Sequence, residues 1–152
     1  MATRRTKPSS HRAVYFLMAP RVDMYQLAEL GDAEFVDEMI DLFVELSERQ
    51  TTEMRCAVDE RAAEALARAA HKLKGACLGM FAQDAAMLAD KLEQAGRGAD
   101  LSGARELLLE LTVVLAETIS QMRGLRLGPP PRAEEPRLAL LQATMKATLP
   151  PG

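Results

Sequence analysis

The sequence predicts an all-α protein: an up-down four-helix bundle with a short N-terminal helix capping one end and flexible tails. Three observations carry this expectation. Aromatics make up only 4% of the chain and tryptophan is absent, while Ala, Leu, Glu and Arg dominate, so strong helix formers outweigh strand formers. Four long segments repeat apolar residues at steps of three and four, the spacing of one helical face. The links between them are short, which favours antiparallel neighbours. At 152 residues, 48% hydrophobic and 27% charged, the chain suffices for one domain with a substantial core.

The elements follow in order. Residues 1–21 read as a disordered basic leader carrying Arg4, Arg5, Lys7 and Arg12. Its apolar stretch Ala13–Ala19 superficially resembles a secretion signal, but it is barely long enough and Pro20-Arg21 makes a poor cleavage site. The leader is equally readable as sequence upstream of a start at Met18. Val22–Leu30 forms a short amphipathic helix ended by Gly31. Asp32 is a good N-cap for a long helix over Ala33–Val58, whose inner positions are Phe35, Val36, Ile40, Phe43, Val44, Leu46, Met54 and Val58. Its outer face is acidic and is expected to be solvated. Asp59-Glu60 caps a third helix reaching Leu78 or Met80.

A fourth helix covers Ala82–Ala95, with Ala85, Met87, Leu88, Ala89 and Leu92 inward. Gly96–Asp100 then reads as a turn, since two glycines in three residues break a helix. A last helix starts at Asp100 or Ser102, runs through Leu107, Leu109, Leu111, Val114, Leu115 and Ile119 to Arg123, and ends at Gly124. The folded domain is thus expected over 22–124. Residues 125–152 are a Pro-rich, mostly disordered tail, in which Arg137–Ala147 is marginal as an isolated helix.

Composition also bounds function. A net charge of −3 argues against nucleic acid as principal partner. No run of about 18 apolar residues exists to span a membrane. Cys56 and Cys77 are expected to be reduced packing thiols of a cytoplasmic protein. Phosphate-cradling glycine loops, metal-spaced Cys/His sets and serine-histidine-acid arrangements do not occur.

One stretch stands apart, His71-Lys72-Leu73-Lys74-Gly75-Ala76. It holds the only histidine outside the N-terminal leader. The apolar stripe of its helix runs through Ala62, Leu66, Ala69, Ala70, Leu73, Cys77 and Met80. Leu73 lies two steps from His71, about 200° around the helix, so the histidine projects away from the core. Residues three and four apart share its face: Ala67, Arg68, Lys74 and Gly75, with Leu78 a turn further. Mid-helix glycine costs about 1 kcal/mol relative to alanine, so Gly75 beside an exposed histidine points to the close approach of another molecule.

These six residues resemble the H-x-L-K-G-[SA] signature of the histidine phosphotransfer (HPt) domain family, helical bundles that relay phosphoryl groups in two-component signalling. The resemblance extends to Asp32-Ala33-Glu34-Phe35, Leu42-Phe43, Ala69-Ala70, Ala86, Leu92-Glu93 and Arg97, covering about Val22 to Arg123. One departure is Phe81, where the family usually has a glycine ten residues after the histidine.

The resemblance implies that His71 is the phosphoacceptor, taking a phosphoryl group from an aspartate of a response-regulator receiver domain and passing it on. A neutral imidazole is a competent nucleophile near neutral pH, and such transfer depends mainly on positioning and charge stabilisation. Lys74 is expected to neutralise phosphoryl oxygens and Gly75 to admit the partner. Ala67, Leu78 and Met80 would form an apolar docking rim, with Arg68 beside it. Glu93 and Arg97 would orient the imidazole or touch the partner.

No cofactor is implied for this chain, Mg²⁺ belonging to the receiver. The expected partners are receiver domains or a hybrid histidine kinase, the expected state is a cytoplasmic monomer, and no autonomous kinase activity is expected. The alternative function is a non-catalytic helical adaptor that binds a receiver or kinase without accepting phosphate.

Overall fold

The structure, a computed structural model, describes residues 20–125; the expectations for the leader and for the Pro-rich tail lie outside them. The described residues form five helices and no strand: α1 (Met24–Ala28), α2 (Ala33–Asp59), α3 (Ala63–Gly79), α4 (Gln83–Arg97) and α5 (Ala104–Gly124). The α3 helix packs most extensively on α4 and next on α2. In turn α4 packs on α5, and α5 closes back onto α2. The helix that carries His71 therefore has a neighbour on each side.

Local chemistry sets the starts of the first two helices. Asp23 Oδ1 accepts from the N–H of Gln26 at the head of α1 (3.1 Å), and Asp32 Oδ1 from that of Phe35 at the head of α2 (2.9 Å). Each bond satisfies one of the amides that a helix N-terminus leaves unpaired. The core is the expected α3 stripe, with Leu66, Ala69, Ala70, Leu73 and Cys77 fully buried. It meets Ile40, Phe43 and Met54 of α2, Ala85, Ala89 and Leu92 of α4, and Leu111, Leu115 and Met122 of α5.

Several expected core positions face out instead. Phe35, Met87 and Leu109 are exposed, and Ala86 and Leu108 take the inward places beside the last two. A stripe displaced by one residue is still apolar in so Leu- and Ala-rich a chain, so periodicity alone does not choose between them. Cys77 is a core thiol, pushed up to about 12 by burial, whereas Cys56 is exposed; both are free.

Three helix ends differ from expectation, for one shared reason. Asp59 and Glu60 finish α2 rather than capping α3, whose N-cap is Ala62 without a side-chain bond. Gly96 and Arg97 belong to α4, and α5 begins only after Gly103. Asp100 and Ser102 instead tie the turn together, the Ser102 hydroxyl donating to Asp100 Oδ1 (2.5 Å).

At the ends of α2, α3 and α4 the chain turns through a residue with positive φ: Arg61 (55°), Phe81 (57°) and Ala99 (52°). In each case the amide two beyond the cap reaches back five residues: Ala62 to the Ala57 carbonyl (2.8 Å), Ala82 to Cys77 (2.9 Å) and Asp100 to Ala95 (3.1 Å). These are Schellman closures, which ordinarily use glycine at the left-handed position. Phe81 thus occupies the conformation for which the family glycine is suited.

Left-handed conformation costs a residue with a Cβ about 1–2 kcal/mol. Glycine's greater freedom in the unfolded chain offsets part of that. Ala99→Gly is accordingly expected to stabilise the protein by about 1 kcal/mol, raising the thermal midpoint by roughly 5 °C. A calorimetric melt that shows no rise would place the strain elsewhere.

Arg21, assigned from sequence to the leader, is instead anchored to the helices. Its N–H donates to Gln121 Oε1, and its guanidinium reaches Asp84 Oδ2 and Glu117 Oε2, each at 2.7 Å. The Asp23 N–H also donates to the Phe81 carbonyl (3.0 Å). Together these contacts tie the approach to α1 onto α4, α5 and the α3–α4 turn.

Candidate functional site

His71 lies at the middle of α3, with its side chain 63% exposed. The core residues Ala70 and Leu73 on either side hold its backbone against α2 and α4. Across the α3–α4 contact stands Glu93, whose side chain is only 1% exposed. Its Oε1 lies 3.0 Å from His71 Nδ1. An ionised carboxylate can only accept, so Nδ1 carries the proton and the neutral ring keeps its lone pair on Nε2.

Three basic side chains surround this one buried carboxylate. Lys74 Nζ lies 2.5 Å from Oε2, and the Arg97 guanidinium pairs with Oε1 from one turn further along α4. The Lys74 pairing first, then the His71 hydrogen bond and the Arg97 charge, hold Glu93 below the usual glutamate range despite the opposing effect of burial. Lys74 also reaches Asp90 Oδ1 (3.1 Å). The two carboxylates, Glu93 first, hold its ammonium above the ordinary lysine range.

The sequence-predicted residues thus separate into groups. His71, Lys74, Glu93 and Arg97 come together around one carboxylate. Lys74 is aimed at α4 rather than standing free beside the imidazole, and is 24% exposed. Gly75 sits on the exposed face next to His71, and a Cβ there would meet nothing within 4 Å. Leu78 is exposed one turn beyond. Arg68 is exposed and pairs with Glu64 (2.9 Å), a surface pair of little energetic weight.

Two members of the expected rim are placed otherwise. Met80 is a buried core residue, as its place in the apolar stripe implies, and takes no part in the rim. Ala67 is half-buried against α4, where a Cβ on Gly96 would come within 2.7 Å of its amide nitrogen.

Sequence reasoning did not find Asp90, which completes the Lys74 pair, or the wall that α2 builds beside His71. An open groove of about 600 Å³ runs between α2 and α3, with Arg49, Gln50 and Glu53 on one side and His71, Lys72 and Gly75 on the other. The available signal was Gln50, a polar residue in register with the buried Phe43, Met54 and Ala57. Among the described residues no helix is long and apolar enough to cross a membrane, and no group of three or more His, Cys, Asp or Glu is placed to hold a metal ion.

Fold and site together define an all-helical protein that presents one exposed histidine, fixed by a buried carboxylate on the neighbouring helix. The model of the Hpt domain family matches residues 38–124, more than half of the chain, and the chain belongs to that family. Membership associates it with two-component phosphorelays, in which Hpt domains engage receiver or kinase domains. No curated protein and no solved structure matches it.

Proposed function

We propose that this protein is a phosphorelay intermediate in which His71 accepts a phosphoryl group from a receiver-domain aspartate and passes it to another. The observation that carries the reading is the Nδ1–Glu93 hydrogen bond, which leaves Nε2 as the free nitrogen of an exposed ring on a packed helix. In the transfer, the Nε2 lone pair attacks phosphorus and a P–N bond forms. The P–O bond to the aspartyl carboxylate breaks, and its electron pair stays on that carboxylate. The ring, still protonated on Nδ1, gains positive charge opposite Glu93. A fixed anion at that place stabilises the charge as it develops and needs little rearrangement.

Lys74 is here a positioning residue: it holds Glu93 and brings positive charge to within one turn of the imidazole. Gly75 leaves the face beside His71 open to a partner's cleft. The Mg²⁺ of such chemistry resides on the receiver. The chain is a carrier without kinase activity of its own, working as a cytoplasmic monomer, and its four longer helices form the up-down bundle that keeps α3 rigid.

The test is to mix the purified protein with phosphorylated receiver domains and assay for acid-labile, alkali-stable label. Wild type is expected to take up label and His71→Gln to take up none. Equal labelling of His71→Gln would remove His71 from the reaction. Binding of receivers with no transfer by wild type would leave an adaptor instead.

A further inference from the structure

The groove between α2 and α3 contains a feature that phosphoryl transfer does not use. Gln50 lines it and is only 3% exposed, yet its Oε1 has no hydrogen-bond partner. Its polar neighbour in the same layer, Ser47, is satisfied within the helix by donating to the Phe43 carbonyl (2.7 Å). Folding therefore buries Gln50 Oε1 without a protein hydrogen bond to replace the water it loses. An apolar residue of the same size at this core register would avoid that cost.

A carboxamide carries a donor and an acceptor side by side, and its complement is another amide, above all a backbone peptide group with its N–H and C=O. The terminal torsion of glutamine is broad, so rotation about it can present the carboxamide to the groove that Gln50 lines. The surroundings suit a peptide segment. Leu46 and Ala76 are half-buried apolar residues, Arg49 and Glu53 are exposed charges of opposite sign, and Gly75 leaves the groove open beside His71.

Resting on the reading of His71 as phosphoacceptor, we infer that Gln50 is a docking residue: its carboxamide pairs with a backbone peptide group of the receiver loop that enters this groove when the receiver's aspartate meets His71. The occupant is assigned by continuity, because His71 and Gly75 line the same groove. A molecule that reaches the imidazole covers this groove as well.

The experiment uses the full chain with Gln50→Met, which keeps side-chain length, and Gln50→Leu as a second variant. Both are melted, and phosphotransfer from a phosphorylated receiver domain is followed against receiver concentration. The variants are expected to melt at or above the wild-type temperature. The half-saturating receiver concentration is expected to rise about tenfold, the scale of one lost hydrogen bond, with the rate at saturation unchanged within about twofold.

An unchanged half-saturation in a folded variant overturns the docking role, as does a loss confined to the saturated rate. If wild type sediments as a dimer that the variants dissolve, the groove's occupant is a second copy and the inference also fails. Absence of label on wild-type His71 would sink the phosphoacceptor reading itself, whereas normal transfer with indifferent Gln50 variants removes this inference alone.

Discussion

Glu93→Gln is expected to slow phosphoryl acceptance by His71 by one to two orders of magnitude while leaving receiver binding nearly intact. The glutamine amide has two ways to meet Nδ1. With its oxygen toward the ring it accepts the Nδ1 proton as the carboxylate does, but supplies no charge against the imidazolium character that builds up during attack. With its nitrogen toward the ring it donates to Nδ1, the proton moves to Nε2, and the attacking lone pair is lost. Amide-for-carboxylate exchange behind a catalytic histidine costs about 10⁴ where the tautomer is fully reversed, and lost outer-shell partners of histidine ligands cost about 10–100-fold. The smaller range applies here, because the oxygen-inward orientation preserves the reactive tautomer. Single-turnover transfer at saturating phospho-receiver is the measurement. A rate within twofold of wild type would mean that Glu93 only packs α4 against α3.

The same substitution has a signature in acid. Lys74, His71 and Arg97 lower the Glu93 carboxylate relative to the unfolded chain, so its ionised form favours folding. That contribution is complete above the ordinary glutamate value of about 4.3 and is lost as the pH falls through the lower folded-state value. Wild type is therefore expected to be the more stable protein near neutrality, with its advantage over Glu93→Gln shrinking below about pH 4. Chemical denaturation across that range reads the difference. A constant gap would place the acid sensitivity on other carboxylates.

How far the sequence foretells this site depends on how local each signal is. The stripe through Leu66, Ala70, Leu73 and Cys77 is a property of one helix. It already places His71 outside the core, and the structure agrees, residue by residue. The pairing of His71 with Glu93 joins residues 22 apart, through a contact between two helices. Composition and periodicity cannot supply such a contact, and only the family resemblance directed attention to Glu93. The ends around the α2–α3 and α4–α5 turns were misplaced because glycine is the usual mark of a left-handed closure, while Arg61 and Ala99 adopt that conformation there, as Phe81 does at the end of α3, which the sequence did place. The nearby Gly79 is the last residue of α3, Gly98 caps α4 in a right-handed conformation, and Gly96 lies inside α4. Gly96 therefore looked like part of a turn, although its smallness serves a contact with α3.

That contact yields a sharp stability contrast between two helical glycines given the same substitution, Gly96 in the last turn of α4 and Gly75 inside α3. At Gly96 a Cβ would stand 2.6 Å from the Ala63 carbonyl oxygen, 2.7 Å from the Ala67 nitrogen and 2.9 Å from its Cβ. Two of these atoms are backbone, so relief requires α3 and α4 to move apart. Overpacking of this kind costs about 1–3 kcal/mol, and close backbone contact belongs at the upper end. Improved helix propensity returns at most about 1 kcal/mol, because Gly96 lies in the last turn of α4. Gly96→Ala is therefore expected to lose about 2 kcal/mol net, lowering the thermal midpoint by roughly 10 °C. Because the strained contact lies between the helices that carry His71 and Glu93, transfer should slow as well.

At Gly75 a Cβ meets nothing within 4 Å, so Gly75→Ala gains the propensity term alone, about 0.5–1 kcal/mol. If the glycine serves the partner rather than the fold, this more stable variant transfers phosphate less well than wild type. Melting curves and transfer rates on the two variants decide the matter together. Stability and transfer should fall in parallel at Gly96 and move in opposite directions at Gly75. A Gly75→Ala protein that gains stability and keeps full transfer would leave its glycine without a role at the docking face.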